Sequence, residues 1–355
     1  MAQASGYFKT SYGQELRLIE TTTQKVALAA FVVVLLVYPF FAKPFFLDLA
    51  NQVFLAVIAA SALMLLTGFA GQISLGHAGL LAAGAFTTGI LYKEVGAPFW
   101  VTLPASAVVG ALLGLVFGLP SLRLKGLYLA VTTLALHFIV AYAGGEYETK
   151  RGYSTGVSVS PPSLFGFELT QGRHWYFVLL AFDVLVVLFC LNLVRSRTGR
   201  SFIAIRDHDT VAEALGIPVK RTKLLAFVIS SVLTTLTGSL LAYYQGFVTI
   251  QAFTIYLTIE YVAMVIIGGS GSMLGAILGA VFVVLFPHVI EAAIRLVPAS
   301  RHLVNDAFAI NFAAFGLIMV LFLIFEPLGL VGIWRRLRDY FLLWPFRQTA
   351  VGKGG

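Results

Sequence analysis

Apolar runs of about 20 residues, each bounded by charge, proline or glycine, recur from one end of the chain to the other. That is the length a helix needs to cross the hydrocarbon core of a bilayer. The runs predict spans near 26–42, 47–67, 73–92, 99–119 and 127–143, then near 175–194, 224–245, 254–268, 272–292 and 305–325. They are continuous rather than alternating with period two, which argues for helices and against a transmembrane barrel. The expected fold is all-α, a polytopic helical membrane protein of about ten transmembrane helices. The stretch 47–92 is apolar nearly throughout and has room for a re-entrant turn.

The same pattern divides the chain into an N-terminal tail (1–25), a transmembrane domain (26–330) and a basic C-terminal tail (331–355). Within the domain, 144–174 is rich in Gly, Pro, Ser and Thr and reads as an external loop, while 195–223 reads as the main cytosolic loop. About 25 mostly polar residues precede the first span and no small-residue cleavage site follows before Lys43, so that span is expected to stay as an anchor.

Composition agrees: 59% of the 355 residues are hydrophobic and 11% charged, against roughly 45–50% and about 25% in soluble domains. The single cysteine, Cys190, excludes an internal disulfide and a cysteine-rich metal site. A net charge of +8 would suggest nucleic acid in a soluble protein, but here its distribution reports topology. Lys9, Arg17, Lys25, Arg123, Lys125, the seven cations Arg195 to Lys223, and Arg335, Arg336, Arg338, Arg347 and Lys353 fall on one face. Lys43, Lys93, Lys150, Arg151, Arg173, Arg295 and Arg301 fall on the other. The bias places both termini in the cytosol and leaves no reason to invoke nucleic acid.

Several chemistries are excluded by missing patterns. There is no Gly-x-x-x-x-Gly-Lys-Ser/Thr loop, and Gly268-Gly269-Ser270-Gly271 lacks the lysine that would bind nucleotide phosphates. No His-Glu-x-x-His or paired His/Cys spacing suggests a metal, no cofactor motif occurs, and no nucleophile constellation suggests an intramembrane hydrolase.

Three features remain. The segment Gly68 to Gly79 breaks an apolar stretch with four glycines and the polar side chains Gln72, Ser74 and His77. In lipid the freed backbone must face protein or a water-filled cavity. Ser74 is placed to cap the following helix, whose N–H groups would then meet a substrate carboxylate; equally, the small residues suit close helix packing. A second break at Gly268–Ser272 runs into Gly271-x-x-x-Gly275-x-x-x-Gly279, and paired breaks point to a translocation path. The run Gly110, Gly114, Gly118 lacks polar neighbours and reads as a packing face.

Ionisable residues inside spans are costly in lipid and must face protein or water. Asp183, Glu260 and His137 are such residues, each readable as a path residue or as half of an interhelical hydrogen bond. A stand-alone ion-coupled carrier using Asp183 and Glu260 is therefore a second reading. In the loop 195–223, Thr210 with Glu213 reads as a capping box and Gly216 with Pro218 as a stop. Two short surface helices follow, offering Phe202, Ile205, Val211 and Leu215 to a partner or, more blandly, a basic face to anionic lipid.

The segment Gly68 to Gly84, the turn Arg123-Leu124-Lys125-Gly126-Leu127-Tyr128, and Ser196-Arg197-Thr198-Gly199-Arg200 through Ala204-Ile205-Arg206-Asp207 resemble the larger permease subunit of branched-chain amino-acid ABC importers. Ala212 to Ile217, Lys223 to Phe227 and Met264 to Gly269 continue the likeness, in order, from about residue 47 to about 330. Ala212-Glu213-Ala214-Leu215-Gly216 departs from the Glu-Ala-Ala-x-x-x-Gly motif of many other ABC importers, and Arg151 to Gly156 replaces the usual Thr-Gly-Gly start of the external loop.

The resemblance implies the ABC-importer permease fold in a bacterial inner membrane: a transport subunit rather than an enzyme. Its partners would be a second homologous permease, two ATPase subunits, a periplasmic substrate-binding protein and membrane lipid. Gln72, Ser74, His77, Asp183 and Glu260 are then the expected path residues. Arg200, Ile205, Arg206, Asp207, Glu213 and Gly216 are the expected coupling residues. Branched-chain amino acids head the substrates, with urea, short amides and aromatic acids as alternatives within the family.

Overall fold

Pro44 opens the second helix at a position where a missing N–H costs nothing, and glycines with positive φ close several others. The computed structural model describes residues 22–153, 155–164, 167–169, 172–295 and 307–343. Its helices are α1 (Thr22–Phe41), α2 (Pro44–Leu63, continued by a π-turn over Met64–Phe69), α3 (His77–Val95), α4 (Phe99–Ser121) and α5 (Leu127–Arg151). Then come α6 (Gly172–Arg195), α7 (Arg197–Asp207), α8 (Asp209–Ala214) and α9 (Val219–Gln245). The last four are α10 (Ile255–Gly268), α11 (Met273–Arg295), α12 (Ala307–Phe325) and α13 (Gly329–Leu343).

Among the described residues, seven helices are long and apolar enough to cross a membrane, or eight if α12 and α13, bent by 53°, count as one. Two of the ten expected spans fall outside that set. The first is a shorter apolar helix. The third is α3, which starts at His77 rather than 73 and whose glycines and Thr88 are buried inside the bundle.

Helices α2 and α9 cross the centre and are the most buried spans. Close approach of α9 is permitted by small residues: a Cβ on Gly84 would fall on the Thr235 carbonyl, and one on Gly238 on the Leu81 carbonyl. Gly110, Gly114 and Gly118 of α4 face Thr235, Val228 and Leu224 of α9, which is the packing face predicted for them. Gly268, Gly275 and Gly279 bring α10 and α11 together in the same way.

Three expected boundaries move. The loop assigned to 144–174 is helical as far as Arg151, because Gly144 packs on Phe86 and Ile250 while Glu148 accepts the Ile250 N–H at 2.9 Å. Beyond it Val157–Ser158 pairs antiparallel with Phe247–Val248, pinning the loop to the end of α9. At the other end of the bundle, α9 already begins at Val219. The boundary at 330/331 falls inside α13. Residues 1–21, 296–306 and 344–355 lie outside the described set, and with them the tail cations Lys9, Arg17, Arg347 and Lys353.

Candidate functional site

The break after α2 is built from its glycines. The helix widens into a π-turn, with Ala70 N–H reaching back to the Leu65 carbonyl at 3.1 Å, and Gly71 then takes φ +66°. Such π-turns frequently mark functional points in helices. Thr67 Oγ1 donates to the Gln72 carbonyl at 3.1 Å, while the Gln72 side-chain amide donates to the Ala70 carbonyl at 3.2 Å. Gln72 and Ser74 are buried in this folded-back loop.

Helix α3 is capped from elsewhere in the bundle. Ser74 Oγ accepts only from Gly76 N–H, at 3.3 Å, so the expected Ser74 cap is not formed. Thr258 of α10 accepts the Ala78 N–H at 3.0 Å, and Thr133 of α5 accepts the Leu75 N–H at 2.9 Å. Protein hydroxyls thus occupy N–H groups that the sequence reading offered to a substrate carboxylate.

His77 sits at the crossing of four helices and is buried. Its Nε2 is 3.1 Å from the Ala59 carbonyl, its Nδ1 3.5 Å from Thr234 Oγ1, and its ring packs edge-on against Tyr261 with centroids 5.1 Å apart.

The two glycine breaks meet at the end of the bundle that carries α7 and α8. A Cβ on Gly68 would lie 2.8 Å from the Gly271 nitrogen, and the Gly271 N–H donates to Met64 Sδ at 3.3 Å. Into this junction comes α7, which begins with the Ser196 hydroxyl accepting from Gly199 N–H. Arg206 Nη1 donates to the Gly68 carbonyl at 3.0 Å, and its aliphatic stem covers Gly71. Its Nε also donates to Asp207 at 3.0 Å.

Phe202 and Ile205 are buried, Phe202 in a small core with Leu66, Leu129 and Phe227, so neither is presented to a partner as the sequence suggested. Val211 and Leu215 are exposed, as are Arg200, Glu213 and Gly216. The Thr210–Glu213 capping box is not formed either: α8 starts at Asp209, ahead of Thr210, with His208 at the cap position. Gly216, at φ +83°, does end the segment.

Asp209 anchors α8. It accepts from Lys223 Nζ at 2.7 Å and Lys125 Nζ at 2.8 Å, tying α9 and the α4–α5 turn to the loop. Burial alone raises its carboxyl, but the two lysine hydrogen bonds outweigh burial and hold it at about 2, below the usual 3.8.

At the opposite end of the bundle lies a cavity of about 770 Å³ between α2, α6, α9, α10 and α11. Its polar lining includes Asp48, Gln52 and Glu260; Trp175, Phe253, Leu257 and Met264 supply apolar wall. Gln52 donates to Asp48 at 2.8 Å, and the Tyr244 hydroxyl also donates to Asp48. Tyr261 lines the cavity as well, so His77 is one side chain removed from it. Glu260 is therefore the path candidate that lines the cavity, with His77 behind Tyr261, while Gln72 and Ser74 lie in the loop 70–76. Asp183 lies apart on α6, outside the cavity lining, with no partner for its Oδ1 among the described residues. His137 packs against Gly79. Sequence reasoning missed Thr133, Thr258, Tyr261 and Asp48, whose roles depend on contacts between distant segments.

A family model described as the permease component of a branched-chain amino acid transport system matches residues 45–325. The chain is 31% identical to the high-affinity branched-chain amino acid transport system permease protein LivM of Salmonella typhimurium, over 89% of this chain and 76% of that protein. The Escherichia coli protein of the same name matches at the same identity and coverage. The autoinducer 2 import system permease protein LsrC of an Enterobacter species is 27% identical over 66% of this chain and 67% of its own length. No solved structure matches.

Proposed function

The chain belongs to the family of branched-chain amino-acid ABC-transporter permeases, and from that premise we propose that it translocates amphipathic amino acids, branched-chain ones first, delivered by a periplasmic binding protein. In this reading the α7–α8 end faces the cytosol. The observation that carries the proposal is the Arg206 bridge: the segment expected to dock on the ATPases is bonded directly to the junction of the two glycine breaks, beneath a cavity open at the other end.

The geometry supports a division of labour along the bundle. A solute enters between apolar walls and the carboxylates of Asp48 and Glu260, which suit the ammonium group of a zwitterion. Its way inward is closed by Tyr261, His77 and the folded-back loop 70–76. Closure of the ATPases would draw on α7 and α8, shift Arg206, and part Gly68 from Gly271. Packed junctions of this kind switch between discrete arrangements rather than deforming smoothly. Two ATPase subunits and a second permease complete the assembly, and both termini are cytosolic, in keeping with the lysines and arginines gathered at the α7–α8 end.

Uptake of labelled leucine, urea and an aromatic acid by proteoliposomes holding the whole complex tests the proposal. ATP-dependent accumulation of leucine, cut sharply by Glu260→Gln, is the expected result. Accumulation that needs no ATPase subunit would favour an ion-coupled carrier and overturn it.

A further inference from the structure

We propose that α13 is a surface-seated helix that docks on the anionic lipid leaflet at the α7–α8 end of the bundle. Its root is fixed. Gly329 turns with φ +64° against the Ile267 carbonyl, and the Leu328 carbonyl and Val331 close over Gly269. From that anchor α13 leaves the axis of α12 at 53°.

The helix is two-faced. Trp334 and Leu337 are 55% and 50% exposed, and three residues apart they share one side. Arg335, Arg336 and Arg338 are exposed on the flanks. Arg336 is held by Glu326, at the end of α12, and Arg338 by Asp339 at 2.9 Å.

Two considerations select lipid over a protein partner. The exposed apolar residues run on from the end of the membrane span, through Ile324, Phe325 and Leu328, to Trp334 and Leu337, so the same solvent that covers α12 is at hand for α13. The pairing of an indole with arginines on one short amphipathic helix is the composition that seats at the headgroup level, with the cations drawn to anionic lipid.

The test uses the full-length permease with its transporter partners in vesicles, comparing phosphatidylcholine alone with phosphatidylcholine plus phosphatidylglycerol. Trp334 emission, isolated by subtracting the Trp334→Phe protein, is quenched by brominated lipid or by aqueous acrylamide. Expected is a several-fold preference for brominated lipid that grows with phosphatidylglycerol. It should fall back when Arg335, Arg336 and Arg338 are all changed to Gln. Full acrylamide access in both vesicles would overturn the proposal. So would protection that appears only when the ATPase subunits are added, which would make α13 their contact.

Discussion

Arg206 and Gly68, 138 positions apart, are joined by a hydrogen bond of 3.0 Å from guanidinium to backbone carbonyl. The bond matters because the same guanidinium nitrogen lies beside Gly271, so one side chain of α7 holds both glycine breaks. A side chain that only decorated the surface would not enclose backbone from two other segments.

Removing that bond should uncouple the loop from the bundle. A hydrogen bond from a charged donor contributes about 1.5–3 kcal/mol, enough for a roughly tenfold or greater change in an equilibrium between two arrangements. Arg206→Met should therefore reduce ATP-driven uptake about tenfold while leaving the complex assembled. The double change Arg206→Glu with Asp207→Lys should abolish substrate-stimulated ATP hydrolysis. Undiminished stimulation in the double variant would remove Arg206 from the coupling route.

Acid should loosen α8 in a defined window. The Asp209 carboxyl is held at about 2 instead of 3.8, so its bonds to Lys125 and Lys223 add stability that is fully present above about 4. That stability is lost as pH falls toward 2. Protease cleavage within 195–223 should thus rise between pH 4 and pH 2 in the wild type. In Asp209→Asn the same segment should be cut readily at neutral pH and show no further rise over that window.

Glycines of similar appearance should respond oppositely to alanine. At Gly84 a Cβ would overlap the Thr235 carbonyl, a backbone atom of a central helix that cannot swing aside. Gly84→Ala should cost about 3 kcal/mol or more and sharply lower the yield of folded protein. Gly145, in the body of α5, would meet only Ile250 at 3.8 Å, an ordinary contact. Gly145→Ala should then stabilise by about 0.5–1 kcal/mol, the usual helix preference for alanine. Thermal unfolding in detergent measures both; a loss at Gly145 matching that at Gly84 would contradict this geometry.

What could be read from the chain, and what could not, divides by range. Most of the spans, the two glycine breaks and the short helices of 195–223 are local patterns of hydrophobicity and backbone freedom, and they appear close to where the residues placed them, while the first and third expected spans and several boundaries do not. The Gly110–Gly118 face was legible because its spacing alone defines a stripe. Local reasoning failed where a partner came from afar. Ser74 stands just ahead of α3, a natural place for a cap, yet the hydroxyl that reaches the Ala78 N–H belongs to Thr258, 180 positions away. Phe202 and Ile205 look like a docking stripe on an isolated amphipathic helix, and nothing in α7 itself reveals that Leu66, Leu129 and Phe227 close over Phe202. Glu260 was visible as a charge in a span, but Asp48, its companion in the cavity, lies near a helix end and raised no signal.

The distant caps also carry the last prediction. Thr258 Oγ1 is the acceptor for Ala78 N–H inside a buried crossing that contains His77 and Tyr261, where water offers no replacement. Thr258→Val keeps the shape and removes the oxygen, so the orphaned N–H should cost about 1–3 kcal/mol. Thr258→Ser, which restores the acceptor at the loss of a methyl, should recover most of that despite the small void. Thr133→Val should behave in the same direction through Leu75 N–H. If the caps only stabilised α3, uptake per folded complex would be unchanged. Because α3 begins at the loop proposed to close the path beneath Tyr261, both valine variants should also let solute leak through the bundle without ATP. Leak measured in proteoliposomes, absent from the serine variant, would tie the caps to the closed state. Equal leak in valine and serine variants would show that the hydroxyl acceptor is not what keeps the path shut.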